Sequence, residues 1–168
     1  MPDKPSPDFA ELYDRSYAKA YNYALYRLGD PAAADDAVSR AYENALARLD
    51  SFDPERGEAD GWLFGILRNA VNDLLRERRW RAPFDLVLAL VGERDAGEQA
   101  LIEDEEQRAL LSALASLDAR GRELLALKFG AQMSNKDIAA QAGLSESNVG
   151  VILFRTVKKL QDLLGDKP

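Results

Sequence analysis

Neither cysteine nor histidine occurs anywhere in the 168 residues. The first absence removes disulfides and thiolate nucleophiles, and the second removes the imidazole of Ser-His-Asp hydrolases; together they remove every Cys/His zinc site. Carboxylate or lysine chemistry is what remains, and the conspicuous carboxylates have simpler roles. Asp35 and Asp36 belong to the first turns of a helix, while Asp53, Glu55 and Glu58 sit in a polar loop. A glycine-rich phosphate loop is also missing, so neither an enzyme nor a bound cofactor or metal ion is expected. No run of eighteen apolar residues is present, and the opening MPDKPSPD lacks the basic-then-apolar pattern of a signal peptide. A cytoplasmic protein without membrane insertion is the expectation.

What is present suffices for a folded core. A hydrophobic fraction of 46% over this length supports one ordinary domain or two small ones. The net charge of -7 argues against a nonspecific nucleic-acid coat, because lysine and arginine supply most of such affinity. Its distribution matters more than its total. Residues 68–81 hold five arginines against two carboxylates, a net of +3, whereas residues 93–106 hold seven carboxylates against one arginine, a net of -6. A basic strip followed by an acidic connector suits a chain of which only certain faces meet DNA.

Apolar periodicity is helical throughout. Phe9, Leu12, Tyr13, Tyr17, Ala20, Tyr21, Ala24 and Leu28 predict a first helix, stopped by Gly29, with Asp30 capping a second and Pro31 at its first position. That second helix runs through Ala34, Ala37, Val38, Ala41, Tyr42, Ala45, Leu46 and Leu49 to a polar loop at 51–61. Most of the tyrosines at 13, 17, 21, 23 and 26 are expected to pack with a wet hydroxyl. A third helix is predicted from Asp60 to about Trp80. On a wheel of about 100° per residue, Leu63, Ile66, Leu67, Ala70, Val71 and Leu74 gather on one side, and Gly65, Arg68, Asn69, Asn72, Arg76 and Arg79 on another. A ridge of arginine and asparagine free of carboxylates suits phosphates and base edges, since both side chains present planar donors. Pro83 is expected to end this unit. The apolar run FDLVLALV at 84–91 fits a strand, a helical turn or a segment that needs a partner.

A second unit is predicted from near Glu98 through Leu101, Ala109, Leu110, Ala113, Leu114 and Leu117, with Asp118 opening a helix over Leu124, Leu125 and Leu127. Residues 134–164, SNKDIAAQAGLSESNVGVILFRTVKKLQDLL, then read as a short helix, a three-residue turn and a longer helix. Ser134 and Asp137 mark the first start, Gly143 the left-handed stop, Leu144 the packed corner and Ser145 the second cap. Small residues at Ala139 and Gly143 are expected to let the helices approach. This is the layout of a helix-turn-helix, whose second helix enters the major groove.

Taken together, LDSFDPERG running into DGWLFGILRNAVNDLLRERR at 49–79, and LDARGRELLALKF followed by SNKDIAAQAGLSESNV, resemble the extracytoplasmic-function (ECF) group of bacterial RNA polymerase sigma factors. The resemblance covers residues 8–165. It implies an all-α fold of two small helical domains: a region-two-like unit at 8–82, a linker at 83–103 and a region-four-like helix-turn-helix unit at 104–165. Bacterial RNA polymerase core, promoter DNA and an anti-sigma factor are the implied partners. The loop at 51–61 with Trp62, Arg68, Asn69, Asn72, Asp73, Arg76 and Arg79 would capture the unpaired minus-ten strand. Ser145, Ser147, Asn148, Val151, Arg155 and Lys158 would read the minus-thirty-five duplex, and Asp35, Asp36, Ser39, Arg40 and Glu43 would face polymerase.

The chain departs from the group's habits in places. Ser39 and Arg40 stand where a Gln-Glu pair is usual, Gly65 where arginine is frequent, and Gly150 and Ile152 where lysine and arginine are common; a short helix ahead of the first long one is not expected. With a recognition-helix core at Val149, Leu153, Thr156 and Leu160, Val151 and Phe154 fall on the outward arc. There they meet thymine methyls or a protein, either an anti-sigma factor or the first unit itself. Two other readings stay open from the residues: a self-sufficient helix-turn-helix regulator, and a helical adaptor or antagonist of polymerase that never touches DNA.

Overall fold

A computed structural model describes residues 5–91 and 105–165, the stretch 79–91 as backbone only. Among the described residues there are helices and turns and no strand. The first unit consists of α1 (Phe9–Leu28), α2 (Pro31–Ala47) and α3 (Ala59–Val91), and the second of α4 (Glu105–Ala115), α5 (Ala119–Leu125), α6 (Asn135–Ala142) and α7 (Glu146–Leu164). A π-helical turn, Ala126–Gly130, extends α5. The acidic connector, Leu101 and most of the expected linker lie outside the described residues.

The helix boundaries follow from local chemistry. Asp8 accepts from the backbone N–H groups of Ala10 and Glu11 at 3.0 and 3.3 Å and so caps α1. Gly29 leaves α1 at φ 71°, and Asp30 accepts from Ala32 and Ala33 at 3.3 and 3.2 Å to cap α2. One boundary differs from expectation, because α3 does not stop at Pro83 but continues to Val91. Proline there forfeits an i→i−4 bond and crowds the carbonyl one turn back, and the leucine and alanine content of 84–91 favours continuing the helix beyond it. The apolar run is therefore the end of α3, and residue 82 lies inside a helix.

Small side chains set the packing of the first unit. Ala20 and Ala24 on α1 and Ala34, Ala37, Ala41 and Ala45 on α2 are all buried, so the two backbones run close together, and Leu63, Leu67, Val71 and Leu74 of α3 close the third side. Ser16, which the apolar pattern does not include, is buried. Its hydroxyl bonds the carbonyl of Leu12 and the Tyr42 hydroxyl, the latter at 2.7 Å, which satisfies it in the core. Tyr13 and Tyr17 lie 40% and 37% exposed at the rim, with rings 5.3 Å apart, while Tyr23 is fully buried and its hydroxyl accepts from Arg27 at 2.7 Å. Leu111, Leu114, Leu117, Leu124, Ile138, Val149 and Leu153 form the core of the second unit.

Candidate nucleic-acid interface

In the helix-turn-helix, the Ser134 hydroxyl accepts from the Asp137 N–H at 3.2 Å, and Ser145 accepts from Asn148 at 3.1 Å. Gly143 takes φ 67° between them, yet a Cβ there would meet nothing within 4 Å. The expected role of Gly143 in close helix approach is thus corrected: it serves the left-handed turn alone. On α7, Val149, Leu153 and Thr156 are buried and Leu160 is partly so, which leaves Ser147, Asn148, Val151, Phe154, Arg155 and Lys158 facing outward. Ser145 is exposed at the cap. Phe154 is 73% exposed, so in this structure the face does not rest on the first unit. It borders a shallow groove of about 540 Å³ with Lys128, Phe129, Gly150, Leu153 and Val157.

The outward side of α2 presents Asp35, Asp36, Ser39 and Glu43 to solvent, joined by Leu46 at 56% exposure. Arg40 is held in place, bonding Asp36 one turn back and Glu77 of α3, each at 3.2 Å. At the head of α3, Phe52 is buried under Trp62, their rings 5.5 Å apart and edge-on. Beside them lies a groove of about 640 Å³ bordered by Ser51, Asp53, Arg56, Glu58, Trp62 and Gln141.

The α3 ridge divides. Asn69 and Arg76 face solvent, with Arg76 3.4 Å from the Asp73 carboxylate. Asn72 is half-buried and accepts from Arg27 at 3.1 Å. Arg68 is turned onto the second unit, where Nε pairs with the Glu123 carboxylate and Nη1 donates to the Gln141 carbonyl at 2.7 Å. Two carboxylates, Asp73 and Glu123, therefore neighbour a ridge expected to be free of them. Arg79 lies on α3, its side chain outside what is described.

Further contacts seat the two units. The Gln141 amide donates to the Gly61 carbonyl at 3.2 Å, and Arg122 donates to the Tyr26 carbonyl at 2.7 Å. A Cβ on Gly130 would come within 2.9 Å of the Tyr23 backbone, so only glycine allows α1 this close. Burial pushes the Arg122 guanidinium down to about 10, with help from Arg27 and Arg78 nearby. Burial likewise raises the Tyr23 phenol, against the favourable charge of Arg27. Arg122, Glu123, Gly130 and Gln141 were not singled out from sequence; the one local hint is a charged pair inside the otherwise apolar run after Gly121.

Among the described residues, no helix is long and apolar enough to cross a membrane, and no group of acidic side chains could hold a metal ion. Residues 12–81 match the family described as Sigma-70 region 2, and residues 107–160 match Sigma-70, region 4. The ECF RNA polymerase sigma factor EcfG of Rhodopseudomonas palustris is 34% identical over 143 residues, covering 84% of this chain and 77% of EcfG. The ECF RNA polymerase sigma factor BldN of Streptomyces coelicolor is 30% identical over 161 residues, covering 94% of this chain, which spans 61% of BldN's length. Among solved structures, the sigma factor RpoE of Bartonella quintana, in complex with the anti-sigma factor NepR, superimposes with a TM-score of 0.71 at 25% identity, covering 95% of this chain and 99% of that one.

Proposed function

Because the chain belongs to the ECF group of RNA polymerase sigma factors, we propose that it directs promoter-specific transcription initiation as a cytoplasmic subunit of bacterial RNA polymerase. The observation that carries this reading is the order of the two units: a three-helix unit with a polar-ridged third helix, then a capped helix-turn-helix with an outward polar arc. The polymerase core binds the outward side of α2, through Asp35, Asp36, Ser39 and Glu43, with Leu46 as an apolar contact and Arg40 fixing the helix against α3.

Melted minus-ten DNA lies along α3. Asn69 and Arg76 reach it directly, Arg68 and Asn72 line the same ridge, Arg79 follows on the same helix, and the groove beside Trp62 takes a base unstacked from the duplex. Unstacking costs a few kcal/mol, offset by the Asn69 amide, the Arg76 guanidinium and the Trp62 ring. Ser147, Asn148, Arg155 and Lys158 of α7 contact the minus-thirty-five duplex, with Ser145 holding the helix N-terminus toward phosphate. The apolar groove between Phe129 and Phe154 is the surface for an anti-sigma factor. In vitro transcription with bacterial core polymerase and a promoter library tests the reading. Core-dependent initiation at a subset of promoters is expected; tight duplex binding without core, or no effect on core, would overturn it.

A further inference from the structure

Resting on that reading, we propose that Glu123 is an intramolecular stand-in for a DNA phosphate: Arg68 is shared between Glu123 in the closed chain and the unpaired strand in the open one. The contact of α5 and α6 with α3 is thereby a built-in brake on strand capture.

Carboxylate and phosphate offer a guanidinium the same geometry, two oxygens accepting a planar fork of N–H donors, so one arginine cannot serve both at once. Arg68 is engaged on two sides, by the Glu123 carboxylate through Nε and by the Gln141 carbonyl through Nη1. Its side chain is 27% exposed and that of Glu123 is 11% exposed, so most of this guanidinium is covered while the units are together. Asn69 and Arg76, on the same helix, remain open to solvent. The brake thus covers one part of the ridge and leaves the rest accessible for a first encounter.

Reversibility follows from the same chemistry. Removing two charges from water nearly cancels their attraction, so a largely buried pair of this kind adds little holding force and instead fixes how the surfaces register. The holding contacts lie elsewhere: Gly130 against the α1 backbone at Tyr23, Arg122 on the Tyr26 carbonyl, and the Gln141 amide on the Gly61 carbonyl. Arg122 carries an opposing strain, since its cation is desolvated beside Arg27 and Arg78. A closed form seated by apolar packing of α1 against α5 and the turn that follows it, with a few hydrogen bonds and no strong electrostatic lock, opens when a better ligand for Arg68 arrives.

Two variants of the full chain separate the brake from its alternatives. E123Q keeps the shape of the side chain and removes its charge. G130A leaves both Arg68 and Glu123 intact but places a methyl against the Tyr23 backbone, which forces the units apart. With a fluorescent single-stranded oligodeoxynucleotide of mixed sequence as probe, and far-UV circular dichroism to confirm the fold, both variants should bind about tenfold more tightly than wild type, the scale of one charge-assisted contact released. R68A/E123Q should lose that gain, and small-angle scattering should show G130A expanded. Unchanged probe affinity in folded E123Q and G130A, with wild type still initiating from core polymerase, would overturn the brake alone. Absence of core-dependent initiation in wild type would instead overturn the sigma-factor reading on which the brake rests.

Discussion

Ser145 and Ser147 lie two residues apart at the start of α7, both are exposed, and they should respond oppositely to truncation. The Ser145 hydroxyl accepts from the Asn148 N–H at 3.1 Å with its backbone extended at ψ 151°, the geometry of an N-cap. Replacing it with alanine leaves that donor to water and costs about 1 kcal/mol, within a range of about 0.5–2 kcal/mol. Spread over a chain of this size, the loss lowers Tm by roughly 2–4 °C. Fraying should stop at Val149, which is fully buried and anchors the end of the first turn. Ser147 has its side chain in solvent on the outward arc, so S147A should leave Tm within about 0.5 kcal/mol equivalent of wild type. The functional readout reverses: S147A removes a groove-facing hydroxyl and should weaken minus-thirty-five binding by the polymerase complex, with stability unchanged. Differential scanning calorimetry on both variants, paired with promoter binding in the presence of core, tests the pair. If S147A lowers Tm as much as S145A, or S145A leaves Tm in place, the capping assignment and the orientation of α7 are wrong.

Leu67 is fully buried at the centre of the first unit, and L67A should cost about 2–5 kcal/mol in urea denaturation, the usual loss for a buried leucine. N69A/R76A should bind core polymerase and fold like wild type, because both side chains face solvent, yet fail in open-complex formation monitored by permanganate footprinting. For Arg122 the sign of the pH dependence is set by its lowered pKa. The buried cation destabilises the folded chain fully below pH about 10, and that cost is relieved as pH rises through this value toward the ordinary arginine range. Wild type should therefore gain stability relative to R122M on going from neutral pH to about pH 10 and above in urea titrations; a constant difference would show that Arg122 is well solvated.

How much of this was legible in the sequence depended on distance along the chain. Caps at Asp30, Ser134 and Ser145, and the stops at Gly29 and Gly143, were readable because each is decided by neighbours within a few residues. The buried stripe of α7 was readable for the same reason, since three turns of one helix fix it. Pro83 misled because an interior proline costs about 3 kcal/mol and so usually marks a helix end, whereas here the helix formers that follow carry α3 past it. Ser16 in the core was unreadable without knowing that Tyr42 lies across from it. Arg68 shows the limit most clearly: its place on an outward ridge was visible from periodicity, but Glu123 and Gln141 lie 55 and 73 residues away in sequence. Beyond the charged pair Arg122 and Glu123 ahead of an apolar run, nothing local announces such partners. They are set by how two separately patterned units meet, and Gly130 mattered to that meeting without any turn or motif to flag it.

A structure of the chain with core polymerase and a promoter bubble decides whether Arg68 changes partner on opening. The units should be parted, Glu123 in solvent, and the Arg68 guanidinium within hydrogen-bonding distance of a phosphate or base of the unpaired strand. An initiation-competent complex in which Arg68 still holds Glu123 and Gln141, with the strand running elsewhere, would contradict that exchange.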